Sequence, residues 1–245
     1  MVLIEALLIV GLALVHLFAG RLRFLDVVPR SGWLSFAGGV SVAYVFIHVF
    51  PELEEAQRAL DEHIGTIAFI EHHAYLVALA GLAAFYGLER LVKADRKQRG
   101  ARGTGEDAPA SAAVFWLHIG SFAFYNALVG YLLVSREDTL LGMLFFFLAM
   151  AFHFLVNDHG LRQHHKGLYR RRGRWVLCIA VAVGWGIGLM TQISEAATGA
   201  LFAFLAGGIV LNVLKEELPE ERLSRFWPFA FGAIVYATML LVGAE

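Results

Sequence analysis

The chain has 245 residues, of which 58% are hydrophobic and 17% are charged, and its formal net charge is −1. A soluble domain carries roughly a quarter charged residues, so this composition argues against a soluble protein and predicts an all-α integral membrane protein. The only cysteine, Cys178, excludes an internal disulfide and a cysteine-based metal site. The sequence has no phosphate loop, Ser/His/Asp arrangement, HExxH motif or basic nucleic-acid patch. We therefore predict no enzyme, no organic cofactor and no nucleic-acid partner.

The apolar residues are grouped into eight blocks, each close to the roughly 20 residues that an α-helix needs to cross a bilayer. The first block carries Glu5 and ends at Arg21 without a small-residue cleavage site, so it is interpreted as a span and not as a signal peptide. The eight predicted spans lie near residues 2–20, 32–51, 66–91, 111–135, 139–160, 174–194, 198–215 and 226–243. They form one transmembrane domain, 1–245, in which a short turn around Glu195 separates the sixth and seventh spans.

The connections between these blocks alternate in charge. The second is acidic, and the first, third and fifth are basic. The basic residues are Arg21, Arg23 and Arg30, then Lys93, Arg96, Lys97, Arg99 and Arg102, then Arg162, Lys166, Arg170, Arg171, Arg172 and Arg174. By the positive-inside rule, the odd connections, including a loop over residues 93–110, face the cytoplasm, and both termini lie outside. We expect a multi-pass protein of the plasma or inner membrane, in contact with the lipid bilayer.

Two Gly-Gly pairs indicate a weak internal repeat. Phe36-Ala-Gly-Gly39 leads to His48-Val-Phe-Pro51-Glu52 in span two, and Phe204-Leu-Ala-Gly-Gly208 leads to Glu217-Leu-Pro219-Glu220 in span seven. These spans cross in opposite directions in the predicted topology. Three spans, a central pair and three inverted spans would form a 3+2+3 inverted repeat of the kind transporters use. The alternative is that Gly-Gly is simply common where membrane helices pack closely.

Spans four and five carry polar side chains of a kind that hydrocarbon tolerates only with partners. His118, Phe122 and Asn126 follow one stripe of span four, and His153 and Asn157 share one face of span five. Neutral imidazole is a good ligand for zinc, iron, nickel or copper, and an amide oxygen is a weaker one. The two histidines and two asparagines therefore have the ligand types for a divalent cation, but they include no carboxylate. The alternative is that these groups only hydrogen-bond between helices.

Two further groups could assist a cation. Binding a doubly charged ion in low dielectric without a counter-charge is costly, and the adjacent Asp158 and His159 can supply one. At the outer side, His48 and Glu52 belong to an acidic and imidazole-rich stretch that would concentrate cations at an external mouth. Its other members are Glu54, Glu55, Asp61, Glu62, His63, Glu71, His72 and His73. The alternative is an ordinary solvated connection.

The layout resembles the ZIP (Zrt/Irt-like) divalent-metal transporters, which have eight spans, termini outside, a long cytoplasmic loop after span three and key motifs on spans four and five. The two Gly-Gly segments are similar to the family's second and seventh spans. The family's fourth and fifth spans typically read His-x-x-Pro-Glu-Gly, and those His and Glu residues ligate a metal pair. The matching positions for His, Pro and Glu are His153, Val156 and Asn157 on span five, and Phe122, Tyr125 and Asn126 on span four. One histidine is thus present, both carboxylates are amides, and the missing prolines predict a straighter helix pair.

The resemblance implies a ZIP-like transporter that moves a divalent metal cation, zinc or iron or similar, toward the cytoplasm. His153 and Asn157, with Asn126 and His118, would form a reduced single-ion site. Asp158 and His159 would lead inward, and His48 and Glu52 would line the outer approach. Because both glutamates are replaced, a transport-inactive ZIP-fold relative stays open, acting as a sensor, a partner subunit or a carrier of another solute. A haem protein with His118 and His153 as axial ligands is a third interpretation, and a homodimer is compatible with each.

Overall fold

The computed structural model describes residues 1–19, 32–64, 73–100, 111–135, 139–217 and 225–243. Every regular element in these ranges is helical, and the ranges contain no β-strand. The prediction of an all-α chain is therefore confirmed for the described residues.

The described residues form nine α-helices and two π-helical turns. The helices are α1 (Val2–Phe18), α2 (Gly32–Tyr44), α3 (Phe50–Ile64), α4 (His73–Arg99), α5 (Ala112–Ser135), α6 (Leu140–Leu168), α7 (Arg174–Met190), α8 (Glu195–Glu217) and α9 (Phe226–Gly243). One π turn, Val45–Val49, joins α2 to α3, and the other, Tyr169–Gly173, joins α6 to α7. Each of these helix pairs is therefore continuous along the backbone.

Six helical segments are long and apolar enough to cross a membrane. They are Ser35–Asp61, His73–Arg99, Ala112–Ser135, Leu140–Arg162, Tyr169–Met190 and Glu195–Lys215. These segments correspond to predicted spans two to seven. Helices α1 and α9 are apolar but shorter. The chain is thus a multi-pass helical membrane protein by length and composition, and the count of eight spans stays a prediction.

The acidic stretch after predicted span two is helical as far as Ile64. Its charge favours a connection, but Leu53, Ala56 and Leu60 repeat at helical spacing and are buried in a cluster with residues of α4 and α8. Glu54 and Arg58 lie on the exposed side, where their side chains approach to 3.3 Å. This stretch is therefore an amphipathic extension of the second span.

The basic stretch between predicted spans five and six is also helical. The ring of Phe115 packs edge-on against His165 at 5.2 Å. One turn further along α5, a Cβ placed on Gly173 would lie 3.1 Å from Ile119. The end of α6 and the beginning of α7 therefore face the same part of α5.

Other predicted connections are covered only in part. Helix α4 runs through the first part of the predicted loop, to Arg99, and residues 101–110 lie outside the described residues. Arg21, Arg23 and Arg30 of the first connection lie outside them as well, as do residues 218–220 of the second repeat. The break predicted near Glu195 is present, because residues 191–194 are not helical and Glu195 begins α8.

Close backbone approach at glycines defines the main helix pairs. Helix α5 packs on α7, α2 on α9, and α4 on α8. In each pair, a glycine of either helix lies directly against the backbone of the other, where any Cβ would clash. These glycines are Gly130 and Gly184, Gly39 and Gly232, and Gly81 and Gly207.

Helix α5 is the most enclosed element, in contact with α1, α4, α6, α7 and α8. Its Val129 and Leu132 pack with Met150, Val181 and Leu205 in the main apolar cluster. Helix α1 adds a buried face on which the Glu5 carboxylate accepts a hydrogen bond of 3.3 Å from the Trp185 indole of α7. Polar side chains on the enclosed faces of α1, α5 and α6 therefore lie inside the bundle.

Candidate functional site

His16 and Asp158 form the most buried charged contact of the described chain. The His16 Nδ1 atom lies 2.9 and 3.0 Å from the two carboxylate oxygens of Asp158. Both residues are 2% exposed. The contact links α1 to α6 across 142 positions of sequence.

The second ring nitrogen of His16 faces Asn126 of α5. The His16 Nε2 atom lies 2.8 Å from the Asn126 Oδ1 atom, and the Asn126 amide nitrogen donates to the Phe122 carbonyl at 2.8 Å. That second bond orients the amide so that its oxygen faces the imidazole. Each ring nitrogen of His16 therefore faces an oxygen atom, Nδ1 those of the Asp158 carboxylate and Nε2 that of the Asn126 amide.

Apolar and weakly polar groups enclose this pair. The Phe154 ring stacks on His16 with centroids 4.5 Å apart. Tyr169 and Cys178 lie within electrostatic range of Asp158, and the Cys178 thiol approaches the Ala13 carbonyl to 3.2 Å. A charged pair in such surroundings is stable only while each member keeps its partner.

His153 lies apart from that network. Its ring lies 5.7 Å from the Tyr125 ring, tilted by 31°, and it is 3% exposed. Its Nε2 atom has no hydrogen-bond partner among the described residues. A buried imidazole nitrogen without a hydrogen bond costs free energy in hydrocarbon. A ligand that bound this atom would remove that cost, so His153 is a candidate ligand residue.

Asn157 and His118 face a small polar cavity, which we call the inner cavity. Its volume is about 10 Å³, and it lies between α4, α5, α6 and α8. Its other lining residues are Glu89, Phe122, Gly160, Leu161, Asn212 and Lys215. The side-chain amide nitrogens of Asn157 and Asn212 have no partner among the described residues. A space of this size holds about one water molecule.

The inner cavity contains its own ion pair. The Lys215 ammonium lies 3.0 Å from one Glu89 oxygen, and Lys93 lies 3.5 Å from the other. The Glu89 side chain is 7% exposed. The predicted set of two histidines and two asparagines has no carboxylate, and Glu89 places one in the inner cavity. Two ammonium groups already neutralise this carboxylate.

Two further predicted residues have local partners. The His118 Nδ1 atom lies 2.8 Å from the His165 Nε2 atom. Arg162 approaches the His159 Nδ1 atom to 3.3 Å, so this nitrogen accepts from a cation. His159 is thus turned toward a guanidinium.

The predicted outer approach is only half-buried. His48 stacks on Tyr44 with ring centroids 5.0 Å apart, and Glu52 lies on the first turn of α3. The side chains of Glu62 and His63, and residues Glu71 and His72, lie outside the described part. His73 faces Asp61 at 3.6 Å.

The six predicted ligands have four different sets of neighbours. Asn126 and Asp158 contact His16, Asn157 and His118 line the inner cavity, His153 lies beside Tyr125, and His159 faces Arg162. Within the described ranges, no three His, Cys, Asp or Glu side chains converge to hold a metal ion. The predicted single site of two histidines and two asparagines therefore stays a prediction.

Sequence reasoning missed four residues of these polar clusters. They are His16, which contacts Asp158, and the inner-cavity residues Glu89, Asn212 and Lys215. Each is a polar residue inside or at the end of a predicted span, which was the available signal. His16 also follows Glu5 and Leu12 on one helix face, so α1 could have been recognised as polar-lined.

No protein-family model, curated protein or solved structure matches the chain.

Proposed function

We propose that this chain is a ZIP-like membrane transporter that moves a divalent metal cation, zinc or iron or similar, toward the cytoplasm. The observation that carries the proposal is the buried Asp158 carboxylate, 2% exposed on a helix apolar enough to cross a membrane. An ionisable group in such a position is expensive to keep and is characteristic of ion pathways. Asp158 also supplies the negative charge that a ligand set of amides and imidazoles needs.

In this proposal His16 occupies the place that the cation takes on Asp158. Its Nδ1 atom contacts both carboxylate oxygens, and its Nε2 atom contacts Asn126, another predicted ligand. When the imidazole moves aside, Asp158 and Asn126 present three oxygen atoms to an ion. His153 lies on the same helix as Asp158, and its unpartnered Nε2 atom can coordinate a cation. We propose that the six predicted residues act in succession along the bundle and not as one cage.

The helix packing supports the 3+2+3 inverted repeat as part of this proposal. Gly39 of the first repeat places α2 against α9, and Gly207 of the second places α8 against α4. In a 3+2+3 inverted repeat, span two is equivalent to span seven, and span three is equivalent to span eight. The contact between α2 and α9, which are spans two and eight, is therefore equivalent to the contact between α8 and α4, which are spans seven and three. Gly39 is the second glycine of its Gly-Gly pair, whereas Gly207 is the first glycine of its pair. The two repeats are therefore equivalent helix by helix but not residue by residue.

Uptake into proteoliposomes tests the proposal. We expect saturable zinc, iron or manganese uptake by the wild-type chain and a rate at least about tenfold lower for Asp158→Asn, since the charged ligand is lost. Asp95→Asn is the matched control, because Asp95 accepts a hydrogen bond from the Ser111 N–H at the end of the bundle. Equal flux in wild type, Asp158→Asn and His153→Ala would overturn the assignment.

A second candidate is a transport-inactive relative that acts as a sensor, a partner subunit or a carrier of another solute. It is favoured by the interior ionisable groups, which already have partners at His16–Asp158 and Lys215–Glu89. It predicts no metal-dependent flux for the wild type and no gain when His16 is replaced. The absorption spectrum of the same preparation tests the haem interpretation, which requires a Soret band.

A further inference from the structure

An apolar groove runs between α1 and α6 on the outside of the bundle, and we call it the lateral groove. Its volume is about 390 Å³, and every residue that lines it is apolar. The lining includes Gly11, Leu14 and Phe18 of α1 and Leu148, Ala151 and Leu155 of α6. Leu14 and Phe18 are each 44% exposed, so the groove is open to the surroundings of the bundle and is separate from the buried pair of His16 and Asp158.

The length of the lateral groove matches one leaflet of a bilayer. Its lining on α1 runs from Gly11 to Ala19, at the end of the helix, which corresponds to about 12 Å along the helix axis. One leaflet of the hydrocarbon core is about 15 Å thick, half of the bilayer value. A lipid acyl chain that enters at the end of α1 can therefore lie in the groove along most of its leaflet.

Two arginines lie at the end of the lateral groove. The Arg174 Nη1 atom of α7 donates to the Leu17 carbonyl of α1 at 3.5 Å, and Leu17 directly precedes the groove residue Phe18. Arg162 follows Leu155 by two turns of α6, which places it on the helix face that lines the groove. A guanidinium group is therefore present at the same end of both helices that form the groove.

The surroundings of these arginines are suited to the headgroup of an anionic lipid. Residues 159–194 contain no aspartate or glutamate, and their basic residues are Arg162, Lys166, Arg170, Arg171, Arg172 and Arg174. Trp175 is 49% exposed, and the Arg174 guanidinium lies 5.6 Å from its ring centroid. Exposed tryptophan is enriched at the headgroup level of membranes, and basic clusters beside a span attract anionic lipids. Positive charge thus meets the apolar groove at the level where a phosphate would lie.

We propose that the lateral groove binds one anionic phospholipid, with an acyl chain between α1 and α6 and the phosphate at Arg174 and Arg162. A guanidinium has five N–H donors, so Arg174 keeps donors for a phosphate besides the one given to the Leu17 carbonyl. A phospholipid fits better than a second copy of this chain, because an apolar lining that ends in arginines is complementary to an amphipathic anion. The proposal goes beyond the transport function and does not depend on it.

The test follows the unfolding midpoint of the full chain in detergent as a lipid is titrated, because a ligand of the folded state raises the midpoint. Phosphatidylglycerol is compared with phosphatidylcholine of identical acyl chains, and glycerol phosphate supplies the charge without the chains. We expect phosphatidylglycerol to bind at least about tenfold more tightly than phosphatidylcholine, since its net negative charge is left to pair with the guanidinium groups. Glycerol phosphate should have no effect at the same concentrations.

Arg174→Gln tests the headgroup contact. We expect it to reduce the preference for phosphatidylglycerol to about threefold or less, while the affinity for phosphatidylcholine stays unchanged. Arg58→Gln is the matched control, because it removes the same charge from the exposed side of α3 and should keep the full preference. Arg162→Gln tests the same contact from α6, so the result does not depend on whether Arg174→Gln folds.

Ala151→Phe tests the groove itself. The larger side chain fills the space that the acyl chain would occupy, so the affinity for both lipids should fall about tenfold or more. Ala84→Phe is the matched control, because Ala84 is exposed on α4 and does not line the groove. It should leave the binding of both lipids unchanged.

Several results would overturn the lipid site. They are equal affinity of the wild type for the two lipids, an equal loss of preference in Arg58→Gln, or unchanged phosphatidylglycerol binding in Ala151→Phe. Stabilisation by glycerol phosphate equal to that by phosphatidylglycerol would also overturn it, because the arginines would then bind a free phosphate. If Ala151→Phe dissociates a dimer and leaves lipid binding unchanged, the groove is an interface between two copies of the chain and the lipid site is wrong.

Discussion

The imidazole of His16 contacts both carboxylate oxygens of Asp158, at 2.9 and 3.0 Å, in a part of the bundle where each residue is 2% exposed. This contact fixes the end of α1 against the middle of the bundle, and Arg174 adds a 3.5 Å contact to the Leu17 carbonyl nearby. It also occupies both oxygens of the carboxylate that the proposed cation would need. Stability and the proposed ion binding would therefore depend on the same two residues.

Replacing His16 should be strongly destabilising. His16→Leu leaves Asp158 buried without its partner, which costs about 3–5 kcal/mol in unfolding free energy. The double variant His16→Leu/Asp158→Leu removes both charges and should recover most of that loss, because two apolar side chains of similar volume leave no charge to solvate. Thermal unfolding of the four proteins in mild detergent measures the coupling. Additive losses would show that the two side chains do not interact.

The sequence predicted the polar faces of α5 and α6 but not what they contact. Periodicity showed that His118 and Asn126 share a stripe, because spacing along one helix is a local property. The partner of Asn126 is His16, 110 positions away, and only the packing of α1 against α5 and α6 brings them together. His153 and Asn157 share a helix, yet one lies beside Tyr125 and the other lines the inner cavity. Contacts between helices were therefore beyond what one-dimensional patterns could supply.

The acidic connection shows the same limit. Its net charge hides a helix on which Glu54 and Arg58 lie on the exposed side and Leu53 and Leu60 on the buried side. Six helices that are long and apolar enough to cross a membrane overlap predicted spans two to seven, because a long apolar run is a local signal.

A methyl group at Gly184 should disrupt the packing of α5 on α7. Its Cβ would clash with the backbone of Ala127, so Gly184→Ala should cost about 1–3 kcal/mol as the helices move apart. Gly186→Ala, two residues along the same helix, meets open space and should stabilise the helix by up to about 1 kcal/mol. Opposite shifts of the unfolding midpoint are expected. Equal shifts would mean that the close approach at Gly184 is absent in the membrane.

Removing Lys215 should expose the cost of the buried Glu89 carboxylate. Lys215→Met takes away the 3.0 Å contact and leaves only Lys93, at 3.5 Å, so a loss of about 1–3 kcal/mol is expected. The matched control is Arg58→Met, which breaks the exposed ion pair with Glu54 and should change stability by less than about 0.5 kcal/mol. Denaturant unfolding of both variants tests this. If Arg58→Met loses as much stability as Lys215→Met, the burial of Glu89 does not explain the contribution of the Lys215–Glu89 ion pair to stability.

Restoring a carboxylate at Asn157 should increase metal binding. Asn157 takes the place of a glutamate in the resemblance to ZIP transporters, is 8% exposed, and faces the inner cavity with an amide nitrogen that has no partner. An aspartate there adds a negative ligand beside His118. We expect Asn157→Asp to bind zinc at least about tenfold more tightly than the wild type, since affinity for a dication rises with ligand charge.

Asn157→Leu is the control for that experiment, because it removes the amide without adding charge. Elemental analysis after desalting, followed by zinc titration, measures both variants. If Asn157→Asp and Asn157→Leu bind zinc alike, the side chain at 157 does not reach the ion and Asn157 must be removed from the ligand set. If the aspartate variant binds tightly but releases zinc slowly across vesicles, the wild-type amide is explained as a weak ligand. An ion that must leave the site benefits from such a ligand, since conduction requires binding that is not too strong.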